Sequence, residues 1–419
     1  MVLPRHLAPR MLDALADTPV TLLVGARQTG KSTLCRAIAG HDHPARYVTL
    51  DDAATFAAAH ADPVGFVGAL EGPVVLDEVQ RAPELFRAIK ARVDRRRTPG
   101  QFLLTGSANV LMMPKISESL AGRMEILTLW PFSQGEIERT TEGFLDEVFG
   151  RKPLRPPHSA TSRSQMIARA VRGGYPEILQ RPDRDRRGAW FGSYLTTILQ
   201  RDVRDLANID GLTQIPRLFE LLAARASTLL NHAELSRSTG LPQTTLRRYL
   251  ALLEATFLIH SIPAWSSNRS KRAVRTPRIV LGDTGLLAHL LGATVETLAG
   301  SASVGPLLEN FIVLELLKQA SWRQSRPQVF HYRTHSGDEV DIVLEEPGGA
   351  IVGIEVKAAA TIGAGHFKGL DALRRDAGTR FHRGIVLYTG REALPFGRDL
   401  WALPFSALWN LGAAIQSKI

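Results

Sequence analysis

Over the first third of the chain, short apolar runs rich in β-branched residues alternate with stretches of helical periodicity. Residues 20–24 (VTLLV), 46–51 (RYVTLD), 74–76 within PVVLDEVQ, and 101–105 (QFLLT) read as strands. Residues 4–16, 33–39, 53–62 and 83–97 read as helices, with Pro63 restarting the chain. Apolar runs without alternation are buried on both faces. Strands that alternate with helices therefore predict an α/β domain with a parallel sheet. Residues 149–164 (FGRKPLRPPHSATSRS) have the composition of a linker. Further helices follow at 190–206, 216–226, 232–238, 244–258 and 305–320. The period then returns to that of strands at 328–333, 339–345 and 350–358, with a helix over 361–376 and a last strand over 384–388.

The link between the first strand and its helix carries chemistry. Gly25, Ala26, Arg27, Gln28, Thr29, Gly30, Lys31 and Ser32 match G-x-x-x-x-G-K-[ST], with Thr33 opening the helix. Loop N–H groups and the positive helix end suit phosphates, and the glycines permit unusual backbone angles. Lys31 is expected to reach the β- and γ-phosphates and Ser32 to ligate Mg²⁺. The bland alternative is a glycine turn with a surface lysine.

The strand of PVVLDEVQ ends in Asp77 and Glu78, the Walker B pattern. Asp77 is assigned to the Mg²⁺ environment and Glu78 to orienting or deprotonating the attacking water. At the tip of QFLLT, Ser107, Thr105 and, with less reason, Asn109 could sense the γ-phosphate, or Gly-Ser-Asn could simply turn the chain. Arg123 precedes a further strand. It reads either as a guanidinium that stabilises the γ-phosphate, from its own or a neighbouring subunit, or as an ion pair at a strand start.

GARQTGKS, VVLDEVQ, FLLTGSAN and LAGRMEILTLWPFS together resemble the AAA-type P-loop ATPases of bacteria and archaea that carry a C-terminal domain of unknown function, DUF4143. GGYPEIL (173–179), LQRDVRDL (199–206) and GDTGLL (282–287) extend the resemblance over most of the chain. It implies an ATP-binding α/β domain, a helical and winged-helix part, and a nuclease-like α/β end, with ATP and Mg²⁺ as cofactors. The domains expected are 1–145 (ATPase), 146–212 (linker and helices), 213–300 (winged helix-turn-helix) and 301–419 (nuclease-like).

Residues 216–258 carry a helix-turn-helix pattern. Thr244, Thr245, Arg247 and Arg248 lie at the start of its third helix, where base edges or phosphates are met. Such modules also serve only for packing. Residues 266–278 (SSNRSKRAVRTPR) hold basic residues and no acid, so Arg269, Lys271 and Arg272 are candidate phosphate contacts. Further on, a loop of 347–349 would set Asp341 opposite Glu355, with Lys357 on the face of Glu355 and Glu309 on the preceding helix. This order is similar to the core of PD-(D/E)xK nucleases, although Val340 stands where that family has proline. Asp341 and Glu355 would bind Mg²⁺, and Lys357 would activate water or steady phosphate charge.

Composition changes this picture only a little. A net charge of +10 and a pI near 10.0 favour an acidic partner, with nucleic acid first, DNA among the candidates, and an anionic membrane second. The single cysteine, Cys35, excludes an internal disulfide and reads as a packing residue. No apolar run has the length of a membrane span and the N-terminus lacks a signal-peptide core, so a cytoplasmic protein is expected. A homo-oligomer is the further partner expected, through Arg123.

Overall fold

A computed structural model describes residues 3–107, 120–154, 161–203, 212–272, 275–301 and 304–415. The chain forms two compact units. The first comprises residues 1–132 with short returns at 175–177 and 252–258, and the second holds the remainder.

In the first unit, helix α1 (Ala8–Asp17) leads into strand β1 (Val20–Val24), followed by α2 (Lys31–Gly40) and β2 (Arg46–Thr49). Helices α3 (Ala53–Ala61) and α4 (Pro63–Gly68) come next, capped by Asp52 and Asp62 through bonds from the N–H groups of Thr55 (2.8 Å) and Gly65 (2.9 Å). Strand β3 (Val74–Asp77), helix α5 (Leu85–Arg95), β4 (Phe102–Gly106) and β5 (Met124–Thr128) complete it. The sheet runs β2-β3-β4-β1-β5, with every pair parallel. Strands β1, β3 and β4 are buried throughout, whereas β2 and β5 are largely half-exposed. The continuous apolar runs thus belong to interior strands, covered by helices on both faces.

Sequence-distant segments become neighbours because β4 lies between β3 and β1. The ends of β1, β3 and β4 share one edge of the sheet, and the glycine loop, Asp77 and Thr105 meet there.

The second unit opens with helices. Among them are α6 (Arg163–Arg172), capped by Ser162, and α7 (Arg184–Thr197). The long helix expected over 190–206 begins earlier and passes into a π-helical turn at Ile198–Asp202. Residues 204–206 of that segment, like 155–160 of the expected linker, lie outside the described residues. Three helices follow: α8 (Ile215–Ala224), α9 (His232–Thr239) and α10 (Gln243–Ala255). Asn231 caps α9 at its start, and Gly240 ends it at φ +73°. An antiparallel hairpin pairs β6 (Ile259–Ile262) with β7 (Arg278–Leu281). Asp283 caps α11 (Thr284–Leu290) by accepting from Leu286 N–H at 3.0 Å. It also accepts from Gly174 N–H at 2.8 Å, so GGYPEIL and GDTGLL meet.

After α12 (Val304–Trp322) come β8 (Gln328–Arg333), β9 (Glu339–Glu345), β10 (Ile351–Lys357), α13 (Lys368–Ala377) and β11 (Phe381–Tyr388). Residues 384–388 are not the last strand. The structure adds β12 (Leu394–Pro395) and β13 (Leu400–Pro404), giving the order β12-β13-β11-β10-β9-β8. Strand β13 pairs parallel with β11; its apolar run, 400–403, is short and ends at Pro404, which hides it from a periodicity reading. Its core includes Trp265, Phe330, Tyr332, Val343, Leu370 and Val386.

Candidate nucleotide site and a C-terminal carboxylate cluster

The loop after β1 makes a close passage. Gly25 has φ +153°, and a Cβ there would lie 2.3 Å from the carbonyl oxygen of Leu129. Gly30 stands at the N-terminus of α2 with φ +94°. Arg5 supports the loop from outside. Its guanidinium donates to Thr29 O at 2.8 Å and to Trp130 O, and it lies 4.3 Å from the ring centre of Phe132.

Lys31 is buried, and its Nζ donates to the carbonyls of Gly25 and Ala26, both at 2.9 Å. Burial lowers its pKa to about 8, against the neighbouring charges of Glu78 and Asp77, which hold it up. Ser32 Oγ donates to Asp77 Oδ1 at 3.0 Å, so the phosphate loop and the strand-end acid adjoin. Tyr47 OH donates to the other oxygen, Oδ2, and Thr105 Oγ1 donates to Oδ1. Serine hydroxyl and carboxylate are hard oxygen donors of the kind Mg²⁺ takes, and the pair fits it. Cys35 is fully buried, and burial with the charge of Asp77 pushes its thiol far up, as befits a packing residue.

Glu78 follows Asp77 in the left-handed region, at φ 61° and ψ 42°. For a side chain other than glycine this costs about 1–3 kcal/mol, a strain found mostly at functional positions. The turn brings Glu78 N–H to Thr105 Oγ1 at 3.0 Å. The carboxylate accepts from Gln80 Nε2, which also donates to Ser107 Oγ at 2.9 Å. Ser107 is buried and, among the described residues, is linked to Glu78 through Gln80. Asn109 lies outside the described residues.

Tyr47, Gln80 and Arg5 were not singled out in the sequence. Gln80 had one available signal, its place in the turn after the acid pair. Tyr47 and Arg5 had none, because only sheet pairing and the fold of the N-terminus bring them in.

The structure does not bring Arg123 to the phosphate loop of its own chain. Arg123 precedes β5, which runs parallel to β1 with Met124 beside Val20, so it lies at the opposite edge, about 16 Å along the strand direction. It pairs with Asp94 and donates to Ala121 O at 3.0 Å.

The second unit brings Glu309, Asp341, Glu355 and Lys357 together. The β9–β10 register pairs Ile342 with Ile354, which sets Asp341 opposite Glu355. Lys357 Nζ donates to Glu355 Oε1 at 2.6 Å, and Val356 N–H to Asp341 Oδ2 at 2.9 Å. Burial, with the charge of Asp341 next, raises Glu309 to about 8 and Glu355 to about 7. Asp341, Glu355 and Lys357 line a cavity of about 420 Å³ with Asp338, His366 and Lys368. Arg278, absent from the sequence reading of this site, bonds to Glu309, Asp341 and Glu339.

Of the basic residues singled out for nucleic acid, Arg247 and Arg248 are exposed on α10. Arg272 is turned inward: its Nη1 donates to Glu345 Oε2 at 2.6 Å, Nε donates to Ser266 O at 2.7 Å, and the group lies 4.9 Å from the ring centre of Phe330. A guanidinium so engaged is not a free surface cation. The side chains of Arg269 and Lys271 lie outside the described residues.

A parallel sheet of this order, with a lysine-bearing glycine loop after β1 and an acid pair after β3, defines a P-loop nucleotide-binding protein. Residues 17–138 match the model of an AAA domain, and residues 304–408 match a domain of unknown function, DUF4143. Residues 163–297 match a second domain of unknown function, DUF8612. The uncharacterized proteins Rv2008c of Mycobacterium tuberculosis and Mb2031c of Mycobacterium bovis are each 30% identical over 412 residues, covering 98% of this chain and 85% of theirs. The chain belongs to the AAA-type P-loop family that carries a C-terminal DUF4143 domain. Among solved structures, the RuvB Holliday junction branch migration motor of Thermotoga maritima is 17% identical, with a TM-score of 0.29 over 62% of this chain and 89% of its own. Among the described residues, no helix is long and apolar enough to cross a membrane.

Proposed function

We propose that the first unit binds and hydrolyses ATP and that turnover moves a DNA-associated C-terminal region. The observation that carries this reading is the contact of Ser32 with Asp77 beside Glu78, at the mouth of the lysine-bearing loop. Lys31 and the loop N–H groups hold the β- and γ-phosphates. Ser32 and Asp77 would hold Mg²⁺, which would neutralise charge on the phosphate oxygens. Glu78 orients the attacking water and takes its proton, and Gln80 and Ser107 fix the direction of its carboxylate. Arg123 belongs to such a site only if it is supplied by a second copy of the chain.

Helices α8 to α10 and the β6–β7 hairpin have the order of a winged helix, and the exposed Arg247 and Arg248 suit phosphate contacts. A second reading, an ATP-gated nucleic-acid-binding switch with slow turnover, is favoured by the bond that Gln80 makes to Glu78. Metal-dependent cleavage by the second unit is supported by the register of Asp341 and Glu355, and the position of Arg278 counts against it.

Phosphate release measured with and without duplex DNA tests the first reading. Wild type is expected to turn over ATP, faster with DNA. Glu78→Gln is expected to lose about 10²–10⁴-fold of the rate while keeping ATP affinity. Equal rates for the two proteins would remove Glu78 from the mechanism.

A further inference from the structure

Two of the carboxylates that the sequence groups as a metal site, Glu309 and Asp341, are already served by a guanidinium of the chain itself. Arg278 is 7% exposed and opens strand β7. Its Nη1 donates to Glu309 Oε1 at 2.5 Å and Asp341 Oδ1 at 3.2 Å, and its Nη2 donates to Glu339 Oε2 at 2.9 Å. One helix and one strand thus aim three carboxylates at a single guanidinium.

The oxygens left over do not form a coordination shell. Asp341 Oδ2 accepts from Val356 N–H, and Glu355 Oε1 accepts from Lys357. Glu355 Oε2 is buried with no hydrogen-bond partner among the described residues. Mg²⁺ requires near-octahedral oxygens at about 2.0–2.1 Å and is reluctant to shed its waters. Among the described residues, no group of three or more His, Cys, Asp or Glu side chains is arranged to hold a metal ion. Mg²⁺ is usually held by one or two carboxylates together with its waters. Of the oxygens of Asp341 and Glu355, only Glu355 Oε2 is left unengaged among the described residues. The set therefore does not offer the open pair of carboxylates that the nuclease-like order of residues implies.

A guanidinium fits it well. It is planar, always charged, and offers forked donors that match several carboxylates at once. We propose that Arg278 is the resident cation of this cluster, standing in the place of a divalent metal and fastening the β6–β7 hairpin to helix α12 and strand β9. The cluster is then a metal-free clamp, and the hairpin that follows the helix-turn-helix is held to the C-terminal sheet through it.

Mn²⁺ titration of the full chain without nucleotide, followed by calorimetry, tests this. Wild type and Asp341→Asn are expected to give superimposable isotherms, since no metal is bound through Asp341. Arg278→Gln is expected to gain a saturable Mn²⁺ site that Arg278→Gln/Asp341→Asn lacks. A Mn²⁺ site in wild type that Asp341→Asn abolishes would overturn the proposal. So would a folded Arg278→Gln, checked by circular dichroism, that gains no site. Should Arg278→Gln not fold, the comparison of wild type with Asp341→Asn decides alone.

Discussion

Lys31 and Glu78 show how much a single position can carry. The ammonium of Lys31 sits among buried backbone, so the fold disfavours its charge and lowers its pKa to about 8. In the proposed site that charge meets the triphosphate. ATP affinity, measured by fluorescence or calorimetric titration, is therefore expected to fall as pH rises through 8, and Lys31→Arg should abolish the fall. Glu78 is held by Thr105 at its N–H and by Gln80 at its carboxylate. Gln80→Ala is expected to lower the rate of phosphate release about tenfold without changing ATP affinity, because the base loses its orienting partner. A rise in rate would mean that Gln80 restrains Glu78, as the switch reading holds. Both lysine and acid pair are legible in the sequence, because the chemistry demands those residue types at a fixed place beside an apolar strand. Gln80 and Tyr47 are not, because a side-chain amide or phenol has no pattern until its neighbours are placed.

At the scale of elements, apolar periodicity found the strands of the first sheet to within a residue or two. Such strands are short and buried on both faces, which leaves an unbroken signature. The same reading missed β12 and β13, which are short and carry proline. It also missed the π-helical turn at Ile198–Asp202, because a π turn keeps the composition of the helix it interrupts. The close approach of α13 to β9 was equally hidden. A Cβ on Gly369 would lie 1.8 Å from Glu339 O, so only glycine lets the helix start pass the strand that carries Asp341. Gly369→Ala is expected to destabilise the protein by about 1–3 kcal/mol, read as a lower urea midpoint. Alanine at the neighbouring exposed Lys368 should change it little.

At the scale of the molecule, the buried carboxyls of the second unit set a pH dependence. Glu309 is raised to about 8 and Glu355 to about 7, from an ordinary value of 4.5. Between pH 4.5 and 8 the folded state holds more protons than the unfolded one. The stability they contribute is thus complete below 4.5 and lost as pH rises through 7 to 8. Calorimetric unfolding is expected to show a lower transition temperature at pH 8.5 than at pH 6, and Glu309→Gln should flatten the difference. An unchanged slope in that variant would separate the effect from this cluster.

The amino-acid sequence by itself determined the α/β class of the first unit, the phosphate loop, the acid pair and the order of the C-terminal carboxylates. Each of these rests on local rules: apolar runs make strands, a glycine-lysine loop makes an anion site, and a short hairpin loop sets its own register. Only the tertiary structure decided which charge answers those carboxylates. Arg278 comes from a strand 63 residues before Asp341, and no local rule links the two. It likewise set Arg123 at the far edge of the sheet, because parallel pairing places the start of β5 beside the start of β1 and away from the loop.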